Sequence, residues 1–116
     1  MTMVQYVYHE PDEYGFKDRD GHDGKFFGTS SDTTGHLIVE CKDKLTVALT
    51  QSKVEFNYYV IEGSGYFILN DDRQDVAKGD LVVVPPGTKY TFGGQLKMLL
   101  ISTPKWSADQ ESVEQL

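Results

Sequence analysis

From residue 36 onward the chain is a succession of short strand-forming segments separated by turn residues, and this punctuation constrains its fold more than any other feature. His36–Glu40 and Leu45–Thr50 flank a polar turn, Cys41 to Lys44. Leu45, Val47 and Leu49 alternate with Thr46, Ala48 and Thr50, the two-residue period of a strand whose faces meet different surroundings. Asn57–Glu62 is rich in Tyr, Val and Ile, which suit a pleated surface. Gly63-Ser-Gly65 reads as a turn into Tyr66–Asn70, and Asn70-Asp-Asp72 as a second turn. Gln74–Val76, Leu81–Val84, Lys89–Phe92 and Lys97–Thr103 complete the set, without a helical period in any of them. The pattern predicts an all-β, antiparallel sandwich or barrel.

A chain of 116 residues is one domain, large enough to bury a core. Its 39% hydrophobic and 12% aromatic content is that of a globular protein. No apolar run approaches the roughly 20 residues that span a bilayer, and Met1 to Glu10 has neither the basic start nor the apolar stretch of a secretory signal. The single cysteine, Cys41, cannot form an internal disulfide, which fits a cytoplasmic protein. A net charge of −7 with scattered Lys and Arg argues against nucleic acid as a partner, because counterion release needs clustered cations. A membrane partner is not expected either.

The two ends differ from the middle. Residues 1–35 read as an arm, Gly- and Asp-rich over 9–35, with Tyr14, Phe16, Phe26 and Phe27 packing on the barrel or on a second subunit. Residues 36–106 read as the barrel, and the polar residues 107–116 as a frayed tail or short terminal helix. The run Asp18-Arg-Asp-Gly-His-Asp-Gly24 has carboxylates and glycines, but not at EF-hand positions, and reads as a solvated turn.

The stretch Gly79-Asp-Leu-Val-Val-Val-Pro-Pro-Gly-Thr-Lys-Tyr-Thr-Phe-Gly-Gly94 resembles the second conserved motif of the cupin superfamily. Gly79, Pro85 and Gly87 fall on that motif, Tyr90 stands where a metal-binding histidine belongs, and Gly94 replaces an asparagine. The closing half of the family's first motif is matched by Tyr58 to Gly65. Counting back from Gly63 puts Phe56 at the ligand glutamate, with Thr50 and Ser52 within one residue of the two histidines. Lys44 replaces the opening glycine. The resemblance implies a double-stranded β-helix, or jelly-roll, barrel over roughly residues 45–103. It implies no metal cofactor, since Thr, Ser, Phe and Tyr supply neither the three imidazoles nor the carboxylate of a cupin metal site. Glu55, one residue from the ligand position, would restore one ligand of four at most.

The candidate ligand-binding set at the barrel mouth is Thr50, Ser52, Phe56, Tyr58, Tyr90 and Phe92. Strand alternation places Phe56 with Tyr58, and Tyr90 with Phe92, on shared faces. Such a pocket, aromatic with hydroxyl tips, suits a sugar-like ligand or a small aromatic or organic acid. The same aromatics also suit a barrel filled by its own side chains. Three functions stay open: a metal-independent small-molecule binder, a sugar-type isomerase or epimerase using His36 and Tyr90, and a dimeric interaction module with a filled barrel. His36 is the only histidine within the strand region; His9 and His22 fall in the arm. Cys41 has no histidine base beside it in sequence, so a nucleophilic role is not expected. A symmetric homodimer is expected, covering the arm aromatics.

Overall fold

The computed structural model describes residues 4–107 and 110–116. Nine strands form one strongly curled antiparallel sheet: β1 (Phe16–Arg19), β2 (His22–Phe26), β3 (Gly35–Cys41), β4 (Val47–Gln51), β5 (Glu55–Leu69), β6 (Asp72–Ala77), β7 (Leu81–Val84), β8 (Lys89–Thr103) and β9 (Glu111–Gln115). The path runs β1-β2-β3-β8-β4-β9, while β5 pairs with β6, β7 and β8. The expected all-β antiparallel architecture is the one observed. No helix long and apolar enough to cross a membrane occurs among the described residues.

Two strands of 15 residues, β5 and β8, carry the fold. They run against each other from Glu55↔Thr103 to Leu69↔Tyr90, with a register shift between Val60 and Glu62. The segments Asn57–Glu62 and Tyr66–Asn70 are thus parts of one strand, and Gly63-Ser-Gly65 is a bend within it rather than a turn. Lys89–Phe92 and Lys97–Thr103 fuse across Gly93-Gly94 in the same way. Close approach at this corner explains the glycines. A Cβ on Gly63 would overlap the Gln95 carbonyl oxygen, one on Gly65 the Gly93 carbonyl oxygen, and one on Gly94 the Ser64 carbonyl oxygen. With no side chains in the way, both strands bend there, and their two halves serve opposite walls of the barrel.

Inside the curl, alternate residues interlock. Leu37, Val39, Phe56, Tyr58, Val60, Phe67, Tyr90, Phe92, Met98 and Leu100 are all buried. The rings of Tyr58, Phe67 and Phe92 meet at centroid distances of 5.0–5.6 Å.

Both chain ends differ from expectation. The segment read as an irregular arm contains the β1–β2 hairpin, and β2 adds to the edge of β3 through pairs from His22↔Cys41 to Phe26↔Leu37. Its turn, residues 18–21, uses positive φ at Asp18, Asp20 and Gly21. The Asp23 carboxylate accepts the Asp18 amide at 2.7 Å, so the acidic run is a hairpin turn. Phe16 and Phe26 pack at 5.9 Å over one barrel end, whereas Tyr14 lies outside under Lys17 and Lys25. The polar C-terminal segment forms β9, paired with β4 from Val47↔Gln115 to Gln51↔Glu111. An edge strand with one solvated face needs few apolar residues, which is why its sequence resembled a tail. Ala108 and Asp109 of that segment lie outside the described residues.

The glycine corner yields a direct expectation. Gly87 and Gly94 both have positive φ, but a Cβ on Gly87 meets nothing within 4 Å whereas Gly94 is crowded by β5 backbone. Gly87→Ala should cost only the ~1–3 kcal/mol of an unfavourable backbone conformation. Gly94→Ala should cost clearly more in urea unfolding, and equal losses would show that the corner does not need glycine.

Candidate functional site

A small cavity of ≈ 50 Å³ opens at the end of the barrel roofed by the β1–β2 hairpin. Its apolar wall includes Leu37 and Val39 of β3, Leu49 of β4, Phe56 of β5 and Leu100 of β8. Into this wall are set six polar residues: Arg19, Asp20, His22, Tyr58, Tyr90 and Glu111. They come from β1, the hairpin turn, β2, β5, β8 and β9, so only the completed fold assembles them.

Tyr58 and Tyr90 are buried and share a hydrogen bond of 2.7 Å between their hydroxyls. Burial pushes both phenols up from their ordinary value, so both are neutral at physiological pH. In such a pair one hydroxyl donates to the other, and the accepting one keeps its own proton for a third group.

Opposite charges meet at the roof. Arg19 Nη2 lies 3.0 Å from Glu111 Oε2, where the Arg19 side chain is 39% exposed and that of Glu111 only 8%. The guanidinium also covers the Phe16 ring at 5.7 Å and the Trp106 ring at 5.2 Å. Burial raises the Glu111 carboxyl above the ordinary carboxylate range, and Arg19 offsets this in part. His22 stands edge-on to Phe16 at 5.0 Å and to Phe92 at 6.0 Å. Burial lowers its pKa, and its buried Nδ1 has no partner among the described residues. The cavity thus holds an imidazole whose charged form is disfavoured by burial and a carboxylate paired with Arg19.

The sequence candidates divide. Phe56, Tyr58 and Tyr90 are on the cavity wall, and Phe92 packs behind them against Tyr58 at 5.6 Å. Thr50 and Ser52 are not on the wall. Alternation along β4 turns Leu49 and Gln51 inward, leaving Thr50 half-buried on the other face and Ser52 exposed beyond the strand. His36 is likewise on the outer face of β3, since Leu37 and Val39 take the inner one, and it borders a groove with Tyr8, Phe27 and Leu99. His36 and Tyr90 therefore do not face one cavity. Glu55 precedes the inward Phe56 and accepts a hydrogen bond from Asn57 Nδ2 at 3.3 Å. Cys41 is buried, and burial raises its thiol pKa, the opposite of an activated nucleophile.

Sequence reading missed Arg19, Asp20 and Glu111 and undervalued His22. The available signal was the pairing of polar chemistry with Phe16 and Phe26 in one short hairpin; nothing local marks Glu111.

The donor set does not fit the metal a cupin fold implies. Thr50, Ser52, Phe56 and Tyr90 occupy or adjoin the ligand positions. The cavity itself offers one imidazole, two neutral phenols, Asp20, and the Glu111 carboxylate, which is already ion-paired to Arg19. Asp20, His22 and Glu111 line the same cavity, but among the described residues no three His, Cys, Asp or Glu side chains are grouped so that they could hold a metal ion.

Residues 51–102, from the end of β4 through most of β8, match the family described as the cupin domain. That segment carries the cupin domain's sequence pattern, and the chain has the cupin fold. Among solved structures, this cupin resembles Streptomyces PAC13 with uridine at 23% identity and TM-score 0.88, covering 97% of this chain and 93% of that one. That protein is described as a nucleoside dehydratase. KdgF from a Halomonas species is similar over 82% of this chain and 88% of its own, at 15% identity and TM-score 0.69. MJ1618 of Methanocaldococcus jannaschii is 32% identical over 60 residues, 48% of each chain. The cupin thus spans about half the length of that curated relative.

Because Glu111 has a raised pKa in the folded state, its contribution to stability is fully present below the ordinary value of 4.5 and is lost as pH rises through the folded pKa. The stability of the native chain relative to Glu111→Gln should therefore fall between about pH 4 and neutrality. Urea midpoints measured across that range check it; a constant difference would mean that burial does not perturb this carboxyl.

Proposed function

We propose that this cupin binds a neutral, hydroxylated small molecule of the nucleoside or sugar class in the cavity under the β1–β2 hairpin, without a metal. The observation that carries the reading is that six polar residues line one otherwise apolar cavity. Ligand sites are built this way, from an apolar wall with a few oriented polar groups. The Tyr58–Tyr90 pair offers a hydroxyl to a ligand oxygen, and Arg19 with Glu111 offers a charged rim for further hydroxyls. The likeness to a uridine-bound structure supports the ligand class.

At ≈ 50 Å³ the cavity holds a few waters, at ~10–15 Å³ or more for each, and not a whole nucleoside. Ligand entry therefore requires outward movement of the hairpin, whose β2 pairs only with β1 and β3.

A second reading, proton-transfer chemistry on that ligand, rests on His22 and Glu111 lining the same cavity, with burial lowering the pKa of the first and raising that of the second. It replaces the isomerase reading built on His36, whose side chain is on the outer face of the sheet. Titration calorimetry with uridine and simple ribosides tests the first reading, and proton NMR of the same mixtures in deuterated buffer tests the second. Tyr90→Phe should weaken binding by a few-fold to about tenfold, the worth of one neutral hydrogen bond, with the fold intact. Unchanged affinity would remove Tyr90 from the site, and no binding of any member of either class would defeat the reading.

The assembly proposed is a homodimer through the outer face of β5 and β7. Tyr59, Leu81 and Val83 are 44%, 60% and 48% exposed there, and Tyr59 lies directly opposite Leu81. This row carries no charge on a chain of net charge −7, so two copies can meet along it without opposing carboxylates. Light scattering should give twice the 13.1 kDa chain mass, and Leu81→Asp should give a monomer. A monomeric native chain at micromolar concentration would overturn the dimer. A cytoplasmic location is part of the same proposal, in keeping with one buried free thiol, Cys41.

A further inference from the structure

Gln51 closes β4 and is 3% exposed, yet neither its amide oxygen nor its amide nitrogen has a hydrogen-bond partner among the described residues. A primary amide has two donor hydrogens and an accepting oxygen, and burying all of them unpaired costs free energy that a leucine would not. The position is not one where a polar residue is needed for the strand. Its backbone is already engaged, since the Gln51 carbonyl accepts the Gly87 amide at 2.7 Å.

Register fixes where the side chain is placed. Gln51 is directly opposite Glu111 in the β4–β9 ladder, and opposed residues of an antiparallel pair share a face. Glu111 is on the cavity wall, as is Leu49 two residues before Gln51 on the same face of β4. The amide therefore lies on the same inward face as two residues of the cavity wall, without lining the cavity itself. Around it the unmet hydrogen-bonding capacity is of both kinds: an amide donor, an amide acceptor and, across the cavity, the unpartnered Nδ1 of His22.

We infer that Gln51 is a specificity-determining residue that reads a ligand edge carrying an N–H beside a C=O, the planar cis-amide edge of a pyrimidine-type base. This rests on the proposed nucleoside-or-sugar site and narrows it to its nucleoside half. A carboxamide is complementary to such an edge, donating to the carbonyl and accepting from the N–H in one plane. A sugar hydroxyl would satisfy one of the two atoms and leave the other buried and unpaired. The rings of Phe56 and Tyr90, both on the cavity wall and perpendicular to each other at 6.3 Å, supply apolar aromatic surface for the base.

The test is calorimetry of the full chain and of Gln51→Leu and Gln51→Met with two probes, uridine and methyl β-riboside, beside thermal unfolding without ligand. Gln51→Met keeps the volume if the branched side chain does not pack. The expected result has three parts. The native chain binds uridine more tightly than the riboside. Both variants lose about ten- to hundredfold for uridine, the loss of a paired donor and acceptor, with the riboside unchanged. Both melt at or above the native temperature, because an unpaired buried amide has gone. Native affinity for uridine in both variants overturns the inference while leaving the site standing. Lower melting temperatures with equal losses for both probes also overturn it, showing Gln51 to be a structural residue. No binding of either probe by the native chain defeats the proposed site itself, and the inference with it.

Discussion

The close backbone contact of β5 with β8 at Gly63, Gly65, Gly93 and Gly94 is the constraint on which the rest of the molecule depends. Each strand must serve both walls of the curl, and neither can do so straight. The bend lets Phe56 and Tyr58 from the first half of β5 face Phe67 from its second half across the interior, with Tyr58 and Phe67 only 5.2 Å apart. It also sets Tyr90, before the bend in β8, against Tyr58. The buried hydroxyl pair is thus a product of strand curvature as much as of residue choice.

Several polar groups of the cavity are tolerable in this core because burial disfavours their charged forms or an ion pair offsets them. The tyrosines pair as neutral phenols, and His22 is held below its ordinary pKa by desolvation. Glu111 is the costly member, and Arg19, itself more exposed, meets it without becoming fully buried. Burial cost and ion pairing pull the Glu111 carboxyl in opposite directions, and burial is the larger influence. The unpartnered Gln51 amide adds to the same imbalance.

Much of the fold was legible because strand alternation and Gly/Pro punctuation are local signals. Leu45 to Leu49 shows its two-residue period in sequence, Asn57 to Glu62 and Leu81 to Val84 are rich in strand-forming residues, and alternation set Phe56 with Tyr58 on one face, which the cupin resemblance implied to be the inner one. The failures have one origin: long-range pairing leaves little local trace. Gly63-Ser-Gly65 is written like a turn, and only the opposing β8 backbone makes it a bend. Glu111 sits in a segment of polar residues, and its pairing with β4 is what gives it an inner face. Thr50 and Ser52 were misplaced by the one-residue slip that moves a side chain to the other face of a strand. His36 and His22 exchanged importance for a related reason, since the β1–β2 hairpin hides in a sequence of Gly, Asp and isolated aromatics.

The chain has a single tryptophan, and it is placed where the two ends of the sequence meet. Trp106 lies beside the Arg19 guanidinium at 5.2 Å, and Arg19 in turn holds Glu111, 92 positions away in sequence. The indole is therefore an intrinsic optical reporter of this junction. Its emission samples the nearby cation and the cavity's access to solvent, with no other indole to obscure the signal. Lifting of the hairpin, arrival of a solute beneath it and detachment of β9 all alter the surroundings of this one fluorophore, so the unlabelled protein carries its own gauge of whether the roof is shut.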